Sequence, residues 1–588
     1  MAELRAAEIG VGAERVLIAE GAITEERYLR ALSIWHGLPF EPFDGRTRRD
    51  CPLPDERMVE AATSGMLPLT IGGDPKVIVA PLLSDTRRLI RLVASGSELT
   101  QRIRITTAAR MRHFVVQHGA DEMERRAVDA LRSRRPDLSA AGLRPNLLAL
   151  VVLAGAAALA AWTAPDTTMM VTEVALGLVF VAWTALRLLG ALSERLVRQH
   201  PRVVTPDHAL PIYTVVAALY RETAAVEGLM RALDRLDYPK EKLQAILAVE
   251  PDDEATLDAL KQCKPGAFEI VFSPKGEPRT KPKALNAALP FVRGRFVAVY
   301  DAEDRPDPDQ LRLAYESFAA NDARLACIQA RLTIDNTSDS WLTRMFTAEY
   351  AGLFDVLLPG LARWRTPLPL GGSSNHFRTD VLREVGAWDP FNVTEDADLG
   401  MRLARFGYRT AVIASTTYEE APARFRSWLR QRTRWNKGWL QTWLVHMRSP
   451  ARLMREMGPT GFTVFQLLVG GTVLAALVHL LFIIQLIWTL ATGSFEANAG
   501  MLAFSMASLA AGYSISMIVG AIGLWRRRLM GCAWVLALMP IYWLMLSLAA
   551  WRAVAQLMFD PYGWEKTEHG LAKTSRLSAH ETVPLSPD

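Results

Sequence analysis

The sequence has few cysteines, and their spacing does not build a metal or disulfide site. The four, Cys51, Cys263, Cys327 and Cys532, are far apart and form neither a CxxC nor a CxH pattern. Neither a zinc site nor a disulfide framework is therefore indicated, and a reducing cytosol suits these residues.

A strong charge imbalance and a secretory start are also missing. The formal net charge is only +5 over 588 residues, so basic groups act locally, and a nucleic-acid-binding role is disfavoured. The start, "MAELRAAEIGVG", has no basic segment followed by an apolar one. We therefore expect no cleavable signal peptide and a cytoplasmic amino terminus. Internal repeats, low-complexity tracts and a Walker-type loop are absent as well, so ATPase activity is not suggested.

Apolar residues, in contrast, are abundant. They make up 50% of the chain, and the mean hydropathy is +0.10. Several apolar runs reach the roughly 20 residues that a membrane span needs, which disfavours the alternative of buried core helices. The runs cover 147–162, 171–192, 462–490, 501–525 and 532–558.

The Lys and Arg residues predict how these runs are oriented. They flank the first pair in "RSRRPDLSAAGLRP" and "SERLVRQHPR", whereas the connecting "TAPDTTMM" has none. Both flanks are therefore expected in the cytoplasm. By the same rule the third run leaves the cytoplasm and the fourth returns at "WRRRLM". Pro540 splits the fifth run. Two half-helices or a re-entrant hairpin would return the tail to the cytoplasm, whereas a single crossing would leave the tail outside. We favour the return.

The middle of the chain, 201–455, alternates strand-like and helix-like segments. "PIYTVVAALY", "LQAILAVE" and "RFVAVYDAED" are typical of buried strands, which predicts a parallel sheet with helices on both faces. Ligands bind such sheets at the carboxyl ends of the strands. Acidic clusters follow these strands, an arrangement that suits a nucleotide and a divalent cation. The clusters contain Tyr220 and Glu222, then Glu250 and Asp252, then Asp301, Glu303 and Asp304.

Taken singly, each further motif has two interpretations. The carboxylates of "AVYDAEDRPDP" can bind one hard cation or form a solvated turn. In "TKPKALNAAL", Lys281 and Lys283 near a helix start can bind phosphate or lie in a basic surface turn. In "NVTEDADLGMRLARFG", Glu395, Asp396 and Asp398 begin a helix, which acidic residues or Thr394 would stabilise in any case.

Taken together and in this order, the motifs closely resemble the processive membrane glycosyltransferases of family 2. Bacterial cellulose synthase and its exopolysaccharide-synthase relatives are the nearest types, and "PLGGSSNHFR", TED and "QRTRW" look like this branch. The resemblance covers about 210–443. It implies an α/β domain of the GT-A fold inserted between transmembrane helices, in a multi-pass protein of the bacterial inner membrane with its catalytic domain in the cytoplasm.

The resemblance also implies substrates, cofactor and partners. The donor would be UDP-glucose or UDP-N-acetylglucosamine, the cofactor Mg²⁺ or Mn²⁺, and the product a β-linked exopolysaccharide passed across the membrane. Periplasmic or outer-membrane export proteins would be partners, and nucleic acid would not.

Carried over residue by residue, the resemblance assigns Asp396 as the general base, beside Glu395. Glu303 stands where the family more often has Asp, and Asp304 follows it, so either carboxylate could reach the metal that Asp301 binds. Trp435 would contact the acceptor. The residues expected around the donor are Tyr220, Glu222, Glu250, Asp252, Lys281, Asp301, Gln431 and Arg434.

The stretch "RQRTRWNKGWLQTW", 430–443, has four basic residues and three tryptophans. It could be a membrane anchor, a nucleic-acid patch or part of the active site. Its position after TED favours the active site for Gln431, Arg434 and Trp435. Membrane-side positions are expected for Arg430, Lys437, Trp439 and Trp443, and the following "MRSPARLMREMG" predicts an amphipathic interfacial helix.

Residues 1–135 are expected to form a separate soluble α+β module. "ERVLIAEGAITEERYLRALSIWHGLPFEPFD" predicts two helices, the second capped by Thr24, and "MLPLTIGG" and "PKVIVAPL" predict strands. The pattern over about 10–82 resembles the amino-terminal domain of type II secretion ATPases, some versions of which bind cyclic di-GMP. Cyclic di-GMP binding and a protein-docking or folding role remain alternatives.

The predicted organisation has six parts, and three functions compete. The parts are the module 1–135, a transmembrane hairpin 145–193, the GT-A domain 200–445, an interfacial helix 446–460, a transmembrane region 461–558 and a cytosolic tail 559–588. The chain could polymerise a β-glycan, transfer one sugar to a lipid carrier, or be an inactive membrane scaffold. QRTRW and the flanking helices favour the first, and the occupied acidic positions disfavour the third.

Overall fold

The computed structural model describes residues 1–82, 86–96, 98–143, 147–194, 204–263, 268–492, 499–563, 565 and 572–576. The connecting residues 493–498 and most of the expected cytosolic tail, 559–588, lie outside the described residues.

The amino-terminal part folds into short helices around a three-stranded sheet. Strands β1 and β2 pair in antiparallel fashion where the sequence predicted strands, and β3, which the sequence analysis missed, adds to β2 in parallel. Thr24 accepts the predicted capping hydrogen bond from the Arg27 backbone N–H at 3.2 Å. The elements are α1 (Ala2–Ile9), α2 (Ala13–Ala19), α3 (Glu25–His36), α4 (Asp55–Thr63), β1 (Met66–Ile71), β2 (Asp74–Val79), α5 (Thr86–Ala94), β3 (Ile103–Ile105), α6 (Ala108–His118), α7 (Ala120–Val128) and α8 (Ala130–Arg134).

This module is not a separate unit, which corrects the expectation from the sequence. Met58 and Phe114 lie in the same buried apolar cluster as Val216 and Ile246 of the central sheet. The amphipathic pattern predicted the apolar faces of these helices but not that the central domain covers them.

The central domain is a mixed eight-stranded sheet in the order β6-β5-β4-β7-β10-β9-β11-β8. Strands β4, β5, β6 and β7 are parallel, as predicted, whereas β10 runs antiparallel to both β7 and β9, and β8 runs antiparallel to β11. The strands are β4 (Tyr213–Leu219), β5 (Leu243–Val249), β6 (Glu269–Phe272), β7 (Phe296–Tyr300), β8 (Arg305–Pro306), β9 (Leu325–Ile334), β10 (Asn375–Arg378) and β11 (Arg409–Glu419).

Helices cover both faces of this sheet, because alternate strand residues point to opposite sides. Val216 belongs to the apolar cluster on one face and Val215 to the cluster on the other. The helices of the membrane hairpin region and the central domain are α9 (Leu147–Thr163), α10 (Pro165–Glu194), α11 (Thr223–Asp234), α12 (Glu254–Lys261), α13 (Lys281–Ala288), α14 (Gln310–Ala319), α15 (Trp341–Gly352), α16 (Leu358–Arg363), α17 (Thr379–Glu384), α18 (Glu395–Arg405) and α19 (Phe425–His446).

In the described part of the chain, four helical segments are long and apolar enough to cross a membrane: Pro165–Ser193, Pro450–Thr489, Leu502–Arg526 and Met530–Phe559. The apolar helix Val151–Thr163 is shorter. A helix is present where the interfacial helix 446–460 was expected: it is the first part of α20, which is interrupted at Gly458 (φ 70°). Its position at a membrane interface stays a prediction. The last helices are α20 (Pro450–Phe465), α21 (Gly471–Thr492), α22 (Ala499–Arg526) and α23 (Met539–Phe559).

Both ends of α23 contact the central domain. Near its start, the Tyr542 hydroxyl donates to Glu349 at 2.7 Å, and just past its end Lys437 donates to the Asp560 carbonyl at 3.2 Å. Pro540 lies in the first turn of α23, after the 3-10 segment Met530–Leu538. In a first turn the backbone N–H has no partner within the helix, so its absence in proline destabilises the helix little. The residues just after α23 therefore contact the central domain. The expected half-helices or re-entrant hairpin are not seen within Met539–Phe559, which forms one helix, and the cytoplasmic side of the tail stays a prediction.

Helix α10, which contains one of these apolar segments, is docked tightly on the central domain. A Cβ atom at Gly360 of α16 would lie 1.8 Å from the Gly190 carbonyl oxygen of α10. The two backbones touch at this point, which leaves no room for a side chain and fixes α10 against the domain.

Candidate active site

A cavity of about 470 Å³ lies where the sheet, α18, α19 and the membrane helices meet. The carboxyl ends of β4, β5 and β7 open into it, as expected for this class of sheet. Its lining includes Tyr220, Glu222, Glu250, Asp301 and Glu303.

The turn after β4 holds Tyr220 and Glu222 at the cavity through a strained residue between them. Arg221 has a φ of 56°, which is unfavourable for a non-glycine residue. The Arg221 backbone N–H donates to the Asp253 carboxylate, and the Glu222 N–H donates to the Thr256 hydroxyl at 3.1 Å. These two contacts from α12 and its cap fix the turn.

The three carboxylates after β5 have different surroundings. Glu250 is buried and lines the cavity, and its Oε2 has no hydrogen-bond partner among the described residues. Asp252 does not line the cavity; it pairs instead with Arg279 at 2.7 Å, which lowers the pKa of Asp252. The structure therefore does not place Asp252 in the cavity lining, and the side chain that lines the cavity at this point is that of Arg279.

The acidic segment after β7 shows which carboxylate faces the cavity. Asp301 and Glu303 line it. Asp304 is fully buried, and its Oδ2 accepts hydrogen bonds from the Asp301 backbone N–H at 2.7 Å and from the Ser373 hydroxyl. Burial raises the pKa of Asp304. The second candidate metal ligand is therefore Glu303, and Asp304 supports the loop.

Lys281, the first residue of α13, forms an ion pair with Asp301 and donates to the Gly372 carbonyl at 2.6 Å. Burial favours the neutral amine, but the charges of Asp301 and Glu395 outweigh it and raise the pKa of Lys281. Lys283 is different: it is fully buried and donates to the Pro274 and Gly276 carbonyls at 2.8 Å. Of these two lysines, Lys281 is the one that lines the cavity.

Glu395 and Asp396 line the cavity at the start of α18. Burial raises the pKa of both carboxyl groups, and for Glu395 the repulsion by Asp396 adds to it. Thr394 makes no side-chain capping bond to this helix. Asp398 points away from the cavity and pairs with Arg402 at 2.7 Å, with both side chains fully buried.

Helix α19 brings the QRTRW residues to the opposite wall. Gln431, Arg434 and Trp435 line the cavity, and the Trp435 ring stacks on Tyr350 with centroids 6.4 Å apart. Within the described chain, Gln431 Oε1 is buried without a hydrogen-bond partner.

Two of the four residues expected on the membrane side are placed differently. Lys437 is buried and donates to the Asp560 and Gly563 carbonyls, and Trp439 lines the cavity. The residues after α23 thus cover Lys437. Trp443 donates to Gln466 Oε1, in the candidate span Pro450–Thr489, at 2.8 Å, and Arg430 is exposed. A membrane-side position of these two residues stays a prediction.

The cavity continues between the long apolar helices, and no motif in the sequence had indicated the residues that line this part. Trp183 and Arg187 of α10, His479 of α21, Ser516 of α22 and Trp543 of α23 line this part. Placing ionisable side chains inside apolar membrane segments costs free energy, and such residues usually have a function. Arg187 and His479 within their apolar runs could therefore have indicated this part of the cavity from the sequence.

The cavity suits a divalent cation that shares its coordination with a ligand. Asp301 and Glu303 supply carboxylate oxygens, which hard cations prefer. Over the residues that the structure describes, no group of three or more His, Cys, Asp and Glu side chains could hold a metal. The two carboxylates therefore fit an ion whose other ligands are phosphate and water oxygens.

Residues 208–438 match the family model described as "Glycosyltransferase like family 2". Similar proteins include a probable glycosyltransferase, YdaM, of Bacillus subtilis, 25% identical over 39% of this chain and 55% of its own length. A β-monoglucosyldiacylglycerol synthase of Synechocystis sp. is 27% identical over 46% of this chain and 58% of its length. A probable glucomannan 4-β-mannosyltransferase of Oryza sativa is 26% identical over 44% of this chain and 47% of its own length.

The chain thus spans about half the length of these relatives. Among solved structures, a mannosyltransferase from Pyrobaculum calidifontis in complex with GDP-Man and Mn²⁺ matches 66% of this chain and 99% of its own, with 20% identity and a TM-score of 0.41.

Proposed function

We propose that the chain is an inverting, processive glycosyltransferase of the bacterial inner membrane, which the match of residues 208–438 to a family 2 glycosyltransferase model supports. It polymerises a β-linked exopolysaccharide from UDP-glucose or UDP-N-acetylglucosamine and passes it through its own membrane helices. The observation that carries this proposal is one cavity that reaches from Asp396 to His479 and Trp543 between those helices.

The donor lies along the strand ends in this proposal. Tyr220, Glu222 and Glu250 surround the nucleoside, and the unpartnered Glu250 Oε2 accepts a base N–H. Lys281 leaves its ion pair with Asp301 to bind the diphosphate, at the amino-terminal end of α13. Arg434 and Gln431 approach the diphosphate from α19. Asp301 and Glu303 would hold Mg²⁺ or Mn²⁺, which would supply positive charge against the leaving diphosphate.

Asp396 removes the proton of the acceptor hydroxyl as its oxygen attacks the anomeric carbon. The bond to the diphosphate breaks on the opposite face, so an α-linked UDP-sugar gives a β-linked product. Trp435 and Tyr350 offer stacked ring faces for the acceptor sugar.

The acidic limb of the pH–rate profile should report this base. Asp396 must be ionised to accept a proton, and burial raises its pKa, so kcat should be high at neutral pH and fall as the pH drops through the raised pKa. The midpoint should lie above about 4, the ordinary value for aspartate. Initial rates between pH 4 and 8 measure it, and a midpoint at or below 4 would contradict the assignment.

A second candidate function is transfer of one sugar to a lipid. The membrane half of the cavity is rich in apolar side chains, including Leu357, Leu468 and Met539, and these suit an acyl or prenyl chain as well as a polymer. The similarity to a β-monoglucosyldiacylglycerol synthase also favours it.

Membranes containing the protein, incubated with radiolabelled UDP-sugars and divalent cation, separate these functions. Processive synthesis gives labelled polymer that stays at the chromatographic origin and is cut by a β-glycanase. A single transfer to lipid gives chloroform-soluble label. No transfer from any nucleotide sugar would contradict both. Linkage analysis of the polymer then identifies the sugar.

Cyclic di-GMP is the proposed regulatory ligand of the amino-terminal module, on the resemblance of 10–82. The module contacts α13, because Asn286 donates to the Ala127 carbonyl at 3.0 Å, and α13 begins with Lys281. The module is thus in contact with the helix that carries Lys281. Calorimetric titration of the full-length protein in detergent should show saturable binding at micromolar cyclic di-GMP; no heat at that concentration would contradict it.

A further inference from the structure

Buried polar contacts join the TED turn and α18 to α19 along a line that we call the TED–α19 seam. Every α19 member of the seam is completely buried. The seam consists of Asn392 Nδ2 donating to Thr442 Oγ1 at 3.0 Å, Val393 N donating to Gln441 Oε1 at 3.0 Å, and His446 Nε2 facing Asp398 Oδ1 at 3.1 Å.

The hydrogen bonds of His446 define its protonation. Arg405 Nη1 faces His446 Nδ1 at 3.1 Å, and because a guanidinium only donates, Nδ1 is the acceptor. Nε2 then carries the proton and donates to Asp398. Burial lowers the pKa of His446, so the ring is neutral. The other Asp398 oxygen accepts from Arg402 Nε at 2.7 Å.

The seam leaves little freedom between the two helices. A Cβ atom at Gly438 of α19 would lie 2.3 Å from the Thr394 hydroxyl, so α19 cannot move closer to the TED turn. Asp398 lies half a turn along α18 from Asp396, and its contact with His446 of α19 holds the rotation of α18 about its own axis. Arg402, on α18 itself, supports this by donating to the Val385 carbonyl at 3.0 Å. That rotation decides where the Asp396 carboxylate points in the cavity.

We propose that His446 is a positioning residue that fixes the geometry between Asp396 on α18 and Trp435 and Arg434 on α19. The inference rests on the proposed function for the roles of those three residues. His446 itself does not line the cavity, and it acts through Asp398. In this arrangement the base and the acceptor side of the site keep one fixed spacing.

The experiment compares His446→Phe with His446→Gln in the full-length enzyme. Phe keeps a ring but loses both hydrogen bonds, whereas the Gln amide can donate to Asp398 and accept from Arg405. Because misplacement by about 1 Å costs on the order of 100-fold in rate, we expect His446→Phe to lower kcat for transfer at least about 10-fold. The Kd for UDP should stay within about 2-fold, and Gln should restore most of the rate.

The decisive readout is the ratio of sugar transfer to donor hydrolysis by water, because this ratio does not depend on the fraction of folded enzyme. It should fall in His446→Phe. If that variant does not fold, Thr442→Val, which deletes one seam contact without changing shape, should lower the same ratio by about 3-fold or more.

His376→Phe is the matched control. His376 is also completely buried and bonds to the Tyr213 hydroxyl at 2.8 Å, but it lies in β10 outside the cavity lining. The His376→Phe variant should be less stable than the wild type but should have the wild-type ratio of sugar transfer to donor hydrolysis. A wild-type ratio in His446→Phe, or in Thr442→Val where the first does not fold, would overturn the inference. Lack of transfer by the wild-type enzyme would instead overturn the proposed function, and the inference with it.

Discussion

Asp396→Asn should lower sugar transfer by about 1,000-fold while the enzyme still binds its donor. Asparagine has nearly the same shape as aspartate but cannot accept the proton of the acceptor hydroxyl, and a positioned general base contributes about 100- to 10,000-fold. Asp396 Oδ1 also accepts the Ala397 backbone N–H at 2.7 Å. The asparagine carbonyl can accept the same bond, so the start of α18 should be preserved. Radiolabelled transfer and calorimetric binding of UDP measure the two quantities.

Glu395→Gln is the control that separates the two neighbouring carboxylates. Both line the cavity and both have raised pKa values, so electrostatics alone does not distinguish them. Glu395 contributes negative charge near Lys281, and its loss should cost about 10-fold or less. If Glu395→Gln abolished transfer and Asp396→Asn turned over normally, the assignments of base and neighbour would be reversed.

The sequence predicted where the site lies because strand order and connection rules constrain it strongly. Residues directly after β4, β5 and β7 must meet at one edge of a parallel sheet, and Glu222, Glu250 and Asp301 do so. The sequence could not predict which carboxylate of a cluster faces inward. Asp252 and Asp304 were chemically equivalent to their acidic neighbours, and distant partners, Arg279 for Asp252 and Ser373 for Asp304, decide their orientation.

The errors about α19 and the amino-terminal module have one physical cause. A lysine among tryptophans before an apolar run is typical of a membrane interface. The sequence around Lys437 does not show that this lysine is covered by the Asp560 and Gly563 carbonyls, which are more than 120 residues away. The apolar faces of α4 and α6 were likewise predictable, but their partner, the central sheet, was not. Periodicity identifies a face that must be buried and leaves open what buries it.

Lys281→Met should weaken UDP binding by about 10- to 100-fold and leave uridine binding nearly unchanged. A hydrogen bond to a charged group is worth about 1.5–3 kcal/mol, and Lys281 is the cation at the start of α13 where the diphosphate is proposed to lie. Uridine has no diphosphate, so it lacks the contact that the substitution removes. Titrating both ligands into one preparation of the variant therefore isolates the phosphate contact from any general damage to the fold.

Lys275→Met is the matched control for charge, since Lys275 is exposed, belongs to the loop that leads to α13 and does not line the cavity. It should bind UDP and uridine as the wild type does. Removing Lys281 also leaves Asp301, 30% exposed, without its ion-pair partner, and water or a cation can compensate this charge. The Lys281→Met substitution should therefore weaken diphosphate binding and change the thermal stability of the protein little. Equal weakening of UDP and uridine in Lys281→Met would show that the lysine shapes the pocket instead of binding phosphate.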